Sequence, residues 1–385
     1  MKFSFYRDDI SRLSSDLLVL GIFEDFLEAE AYFPQLDKAL EGLLSRVVKE
    51  EDFKGKEEQV LLLHTHNRLG ISRVALLGLG KRTDFQIADT RKYGASAVQL
   101  AEKAGSRTVA LALPSVDSTA TGKTVQFLVE GTLLGRYRFE RYKTKESRAK
   151  GKIESVKILI PPGETAPGLH VVSRAEIIAR AVILARDLVN EPACQLTPQK
   201  LAEIAQSLAK EKGLACKVLG PKECERLKMN LFLAVSQGSV EEPRFIHLTY
   251  KPKGKEKSKK RLVLIGKGVT FDSGGLSLKQ TQSMVDMKTD MAGAAALLGV
   301  VGALPDLGLA VEVHVIIAAT ENMISGSAYK LGDVFVGLAG KSVEIVNTDA
   351  EGRLTLADAL AYGAKFSPDE IVDLATLTGA CMVPL

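Results

Sequence analysis

Two short segments of this chain carry acidic and basic side chains at spacings that ordinary turns do not need. The first is Leu262–Ala296, LVLIGKGVTFDSGGLSLKQTQSMVDMKTDMAGAAA, where an apolar strand candidate runs into Gly266-Lys267-Gly268 and then Asp272-Ser273-Gly274-Gly275. Lys279 follows, and Asp290 stands just ahead of an apolar helical run from Met291 to Val300, where its charge also suits the helix dipole. The second is Val346–Leu360, VNTDAEGRLTLADAL, with Asp349, Glu351 and Arg353 at alternate positions; an extended turn would point the three to one side. Taken singly, each piece has an everyday explanation. Asp-Ser-Gly-Gly makes turns, and Asp-x-Glu before a helix makes caps. Four carboxylates on two loops that both follow strands are harder to explain that way, because they repel one another unless a counter-charge joins them. Hard divalent cations bound through oxygen meet that need, manganese or magnesium first, with zinc also admissible.

The elements that must hold these loops follow from the apolar runs. Over residues 1–160, buried strands are expected at Leu17–Gly21, Gln59–Leu63, Arg73–Gly78 and Val109–Leu113, with a helix over Thr90–Ala104. Gly78-Leu79-Gly80 lacks the third glycine of a dinucleotide loop and reads as a strand-ending turn. Pro161-Pro162-Gly163 and Pro167-Gly168 mark a linker over 161–172. Residues 173–385 then open with a helix near Ser173–Val189 and continue with strand candidates at 261–265, 311–319, 342–347 and 370–375. The expected fold class is α/β in two domains, the second built on a mostly parallel central sheet. In such a sheet ligand-binding groups gather beyond the carboxyl ends of the strands, which is where both loops fall.

With these residues in view the chain resembles the leucyl aminopeptidase (cytosol aminopeptidase) family. GKGVTFDSGG, the Met-x-x-Met-Lys-x-Asp-Met-x-Gly-Ala-Ala run and NTDAEGRL look like its signature. Asn190-Glu191-Pro192, Leu196-Thr197-Pro198, Glu321-Asn322-Met323 and Ala375-Thr376-Leu377-Thr378-Gly379 match supporting motifs. The resemblance covers the chain after residue 160 and is looser before it, where Gly78-Leu79-Gly80-Lys81 and Tyr137-Arg138-Phe139 also fit. It implies two metal ions bridged by Asp272 and Glu351, with Lys267 and Asp290 completing one shell and Asp349 the other. Manganese is the expected metal, with zinc as the alternative. As a ligand the Lys267 amine must be neutral, a form that burial and adjacent dications favour. Lys279, kept protonated, is implied to stabilise the oxyanion, and Arg353 to hold a bicarbonate acting as general base. Met287, Thr376 and Gly379 resemble positions lining a pocket for apolar side chains such as leucine. A homo-hexamer acting on peptides with a free N-terminus is implied as well. Cys194, Ile324 and Leu331 depart from the family pattern in supporting loops. Members of the family continue well past the Ala-Thr-Leu-Thr-Gly loop, so the chain, ending at Leu385, reads as a fragment.

Composition excludes several alternatives. Hydrophobic residues make up 46% and charged residues 25%, and the net charge of +4 over 385 residues gives no general field for nucleic acid. The N-terminus has no secretory pattern, and no stretch of about 18 apolar residues is apparent, so a cytoplasmic protein is expected. Cys194, Cys216, Cys224 and Cys381 are scattered and read as small buried thiols. Two basic stretches, Arg136–Lys152 and Lys251–Arg261, support a rival reading as a DNA-binding or regulatory hexamer with a vestigial site. A solvated helix face for the first and a strand-linking loop for the second explain them as well. No His-Glu-x-x-His helix, Gly-x-Ser-x-Gly elbow or phosphate-binding loop is present.

Overall fold

A computed structural model describes residues 1–24, 32–66, 68–114, 120–144, 153–252 and 260–383. The chain divides into two compact units, Met1–Ala179 and Arg180–Leu385. The boundary falls inside the helix His170–Asn190, not in the proline-rich segment 161–172. Packing explains the shift: Val172 and Ala175 sit in the first unit's core, whereas Leu184, Ala185, Leu188 and Val189 pack in the second's.

The first unit is a six-stranded sheet built from β1 (Lys2–Tyr6), β2 (Ser15–Phe23), β3 (Val60–His64), β4 (Ile71–Gly80), β5 (Thr108–Ala112) and β6 (Ser155–Leu159), in the order β1-β6-β5-β2-β4-β3. Every pairing is parallel except β3 with β4. The central strand β2 is apolar on both faces, as a covered parallel sheet requires. Helices Thr90–Lys103 and Thr121–Gly135 cover one face; Phe33–Ala39 and Leu43–Glu50 cover the other.

The second unit holds a five-stranded sheet of β7 (Ala215–Leu219), β8 (Arg244–Tyr250), β9 (Arg261–Asp272), β10 (Glu312–Asn322) and β13 (Glu370–Leu374), in the order β13-β9-β10-β8-β7. It is mixed: β13, β9 and β10 run parallel, while β8 is antiparallel to both β10 and β7. The expected strand at 342–347 is only β12 (Ser342–Glu344), which pairs with β11 (Val334–Val336) in a separate hairpin outside this sheet. Alternation along β9 and β10 separates two cores. Val263, Ile265, Ile316 and Ala318 meet helices Asn230–Ser236 and Glu351–Ala364. Leu262, Leu264, Val315 and Ile317 meet helices Pro198–Lys212 and Ala292–Leu307. Contrary to the sequence expectation, the run Thr281–Leu307 is long and apolar enough to cross a membrane by length and composition, but 67% of its apolar window is buried inside the protein.

The cysteines are less uniformly buried than expected: Cys224 is buried and Cys216 half-buried, but Cys194 and Cys381 are exposed. Of the basic stretches, 145–152 and 253–259 lie outside the described residues. The helix Thr121–Gly135 ends before the first stretch, so Tyr137–Thr144 is coil and turn, not a helix face. Within the described parts Arg136 and Arg138 pair with Glu102, and Lys251 and Arg261 with Glu312.

Candidate metal centre

The site is built at the carboxyl end of β9 and depends on an irregularity there. Lys267 and Asp272 are five residues apart, so a regular strand would point them to opposite faces. The β9–β10 register, however, pairs Val269 with Thr320 and then Phe271 with Glu321, two residues against one. This bulge reverses the alternation and brings Asp272 to the side of Lys267. Gly274 and Gly275, at φ +87° and +63°, then turn the chain through left-handed conformations that side chains resist. The turn returns Lys279 to the strand end, its amide bonded to the Ser273 carbonyl.

Asp290 ends the 3-10 turn Met287–Thr289 two residues ahead of the helix Ala292–Leu307, and Glu351 begins the helix Glu351–Ala364. Both acids therefore lie at positive helix ends. Gly293 lets the first helix approach β13 closely, since a Cβ there would lie 2.0 Å from the Leu374 carbonyl oxygen. A Cβ on Gly352 would lie 2.9 Å from Lys267 Nζ. Small residues thus make room for the long lysine.

Lys267, Asp272, Asp290 and Glu351 are each at most 5% exposed. One oxygen from each of Asp272, Asp290 and Glu351 lies within 4.8 Å of the others. Lys267 Nζ is 2.8 Å from both Asp290 Oδ1 and Glu351 Oε1 and donates to the Thr376 carbonyl at 3.0 Å. Lys279 Nζ bridges Asp272 Oδ2 at 3.0 Å and Asp349 Oδ1 at 2.5 Å. From the protein groups alone, burial lowers the Lys267 pKa, but Glu351 and Asp290 outweigh it and the net direction is up. Lys279 is also pushed up, its desolvation overcome by Asp349 and Asp272. Burial dominates at Asp290, which rises to about 7 despite Lys267.

Four carboxylates face two ammoniums here, a residual charge of −2 when all six are ionised. Asp290 Oδ2 and Glu351 Oε2 are buried without a hydrogen-bond partner. Buried acceptors are rarely left so, and a hard dication is the ligand that would satisfy both them and the charge. The donor set therefore fits the divalent metals expected from the sequence.

Other expected residues fall less centrally. Arg353 is exposed and makes no ion pair with the cluster. The segment is not an extended turn: Thr348–Ala350 is a 3-10 turn and Glu351 starts a helix, so Arg353 sits about 200° around the axis from Glu351. Met287 is half-buried beside Asp290, and Gly379 lies in an exposed turn. Thr376 touches the cluster directly, its hydroxyl 2.8 Å from Asp290 Oδ1. Asn322 and Thr348, which the sequence showed only as members of motifs without a role of their own, are both fully buried at the site. Asn322 Nδ2 donates to Asp272 Oδ1 and to the Thr348 carbonyl, and Thr348 Oγ1 to the Gly274 carbonyl. A buried asparagine closing an apolar strand was the available signal.

Comparison with known proteins agrees with this geometry. The catalytic-domain description of the cytosol aminopeptidase family matches residues 183–385, and its N-terminal-domain description matches 19–146. A probable cytosol aminopeptidase of Cyanothece sp. is 44% identical over 375 residues, covering 97% of this chain and 75% of the relative. One from Alkaliphilus metalliredigens is 40% identical over 388 residues, covering 100% and 77%. Among solved structures, a tomato leucine aminopeptidase mutant superposes with TM-score 0.89 at 36% identity, over 100% of this chain and 75% of that one. The bottromycin maturation enzyme BotP, in complex with Mn, gives 0.79 at 32% identity, over 96% and 74%. The chain belongs to the cytosol aminopeptidase family, and is by that membership a metal-dependent aminopeptidase.

Proposed function

We propose that this protein removes N-terminal residues, leucine by preference, from peptides, using two divalent cations held by Lys267, Asp272, Asp290, Asp349 and Glu351. The observation that carries the reading is the convergence of Asp272, Asp290 and Glu351 with two buried, unpartnered carboxylate oxygens. When bound, the cations would supply Lewis acidity toward a water and the scissile carbonyl. Lys279, held protonated by Asp349 and Asp272, is the cationic donor available to a developing oxyanion. Lys267 takes part as a neutral amine: burial favours that form, and the bound cations would have to outweigh the pull of Glu351 and Asp290 toward the charged one. Arg353, exposed beside the cluster's helix end, holds a bicarbonate as general base, and Met287, Thr376 and Gly379 line the side-chain pocket.

Manganese is the proposed metal, in keeping with the manganese complex of BotP, with zinc the alternative. The leucine preference is in keeping with the tomato enzyme's name, and a cytoplasmic location with the family's. Assembly as a homo-hexamer belongs to the same reading. Among the described residues nothing favours the DNA-binding alternative, since four of the basic ones pair with Glu102 or Glu312.

The test is turnover of leucine p-nitroanilide with added Mn2+. Activity should vanish on chelation and in Asp272→Ala or Glu351→Ala, together with Mn2+ binding. An unchanged rate in either variant would overturn the assignment.

A further inference from the structure

The last rung of the β9–β10 ladder pairs Asp272 with Asn322, a residue 0% exposed. Its side-chain amide has only one orientation open to it. Nδ2 lies 2.8 Å from Asp272 Oδ1 and 3.0 Å from the Thr348 carbonyl oxygen. A carboxylate and a carbonyl both only accept, so the donor end must face them. Asn322 Oδ1 is left buried with no hydrogen-bond partner. An unmatched buried acceptor is unfavourable, so the position is built around the two bonds that Nδ2 makes.

Those bonds have a directional consequence. Asp272 Oδ1 receives Asn322 Nδ2 and, at 2.9 Å, the Gly274 amide. Oδ2 has only Lys279, at 3.0 Å. Two protein donors thus occupy one oxygen and leave the other facing the cluster. The same amide holds the Thr348 carbonyl, which lies next to Asp349 and three residues before Glu351. One side chain thereby spans both acidic loops. Tyr329 also donates to that carbonyl, at 2.7 Å, and is not hydrogen-bonded to Asp272.

We infer that Asn322 is a positioning residue for the cation site: it saturates Asp272 Oδ1, commits Oδ2 as the ligand atom, and fixes its separation from Asp349 and Glu351. The inference rests on the proposed metallo-aminopeptidase reading and assigns a role to a residue outside its ligand set. No neighbouring residue type substitutes for it. Leucine keeps the branched shape but is bulkier and donates nothing, and aspartate would set a second carboxylate against Asp272.

The test compares Asn322→Leu with Tyr329→Phe, measuring Mn2+ affinity by calorimetry and folding by circular dichroism. Both remove a hydrogen bond to the Thr348 carbonyl, but only the first removes one to Asp272. Asn322→Leu should weaken Mn2+ binding about 10- to 100-fold, and the lost peptidase rate should return with excess Mn2+. Tyr329→Phe should change the affinity by less than about threefold. Should Asn322→Leu fail to fold, Asn322→Ala reads the same quantity without added bulk. Wild-type affinity in a folded Asn322 variant, or equal losses in the Asn322 and Tyr329 variants, would overturn the inference while leaving the aminopeptidase reading intact. No Mn2+ binding by the wild-type protein would overturn both.

Discussion

Strand β10 carries a buried polar network at each end, and the two differ in a way that separates architecture from chemistry. At its amino end His314 Nε2 meets Glu312 Oε1 at 3.0 Å, His314 Nδ1 meets His247 Nε2 at 2.9 Å, and Tyr362 reaches His247 Nδ1 at 3.3 Å. If Glu312 accepts from His314, the bonds run in one direction through both neutral rings and every ring nitrogen is used. Phe366 stacks on His314 and closes the cluster. At the carboxyl end, beside Asn322, the carboxylates outnumber the ammoniums, and the buried Asp290 Oδ2 and Glu351 Oε2 have no partner. The first network is complete from protein atoms; the second is complete only with a ligand of positive charge. Burial of ionisable groups is common to both, so the unmatched oxygens and net charge are what mark the functional end.

The largest effect expected from this contrast is on catalysis. Glu351→Ala should lower the rate by about a thousandfold or more, since Lewis-acid stabilisation amounts to several kcal/mol. Lys279→Ala should lower kcat by about 10²- to 10³-fold with Mn2+ still bound, the loss typical of a single oxyanion donor. Equivalent changes at His247 or His314 should leave Mn2+ binding untouched, as calorimetry can check.

Stability effects come next and distinguish the two ends by their response to metal. Mn2+ at about a hundred times its Kd should raise the unfolding free energy by about 2.7 kcal/mol, lost on chelation and absent in Asp272→Ala. The histidine end should respond to pH instead. Burial, with His314 nearby, lowers the His247 pKa to about 4. Between pH 4 and 6.5 this imidazole therefore holds more protons in the unfolded chain than in the folded one, and its contribution to stability rises with pH. The contribution is fully present above about 6.5 and is lost as pH falls toward 4, up to about 3 kcal/mol. Asp290, raised to about 7 in the chelated protein, titrates the opposite way over the same range, so urea titrations in chelator at pH 7.5 and 5 should show the histidine contribution as the difference between the wild type and His247→Gln. The smallest effect belongs to exposed ion pairs: Lys260→Ala, breaking the pair with Glu370, should change stability by less than about 1 kcal/mol.

Much of the site was legible because four of its five proposed ligands lie in two contiguous runs, with Asp290 beyond the first. Gly266–Gly275 and Asn347–Leu354 display their acids, glycines and lysine within a few residues of one another. What stayed hidden depends on register. Nothing local says that Thr270 forms a bulge, or that Asn322, fifty residues from Asp272, becomes its neighbour on the adjacent strand. The His247–His314 contact is likewise set by the antiparallel β8–β10 register across 67 residues. The placing of Arg353 depends on local geometry that the sequence did not show, since a helix, not an extended turn, carries it about 200° around the axis from Glu351. Parallel strands buried on both faces, such as β2, β4 and β9, appear as apolar runs and were readable. Strands β1 and β7 alternate exposed with half-buried residues and lack that signal.

The most direct test of the central claim is an anomalous difference map from crystals grown with Mn2+. The account predicts two peaks enclosed by Asp272, Asp290, Asp349 and Glu351, with Lys267 Nζ directed at one of them. Mn2+ bound elsewhere, or a well-ordered cluster in which Lys267 keeps its ion pairs to Asp290 and Glu351 and no metal enters, would contradict it.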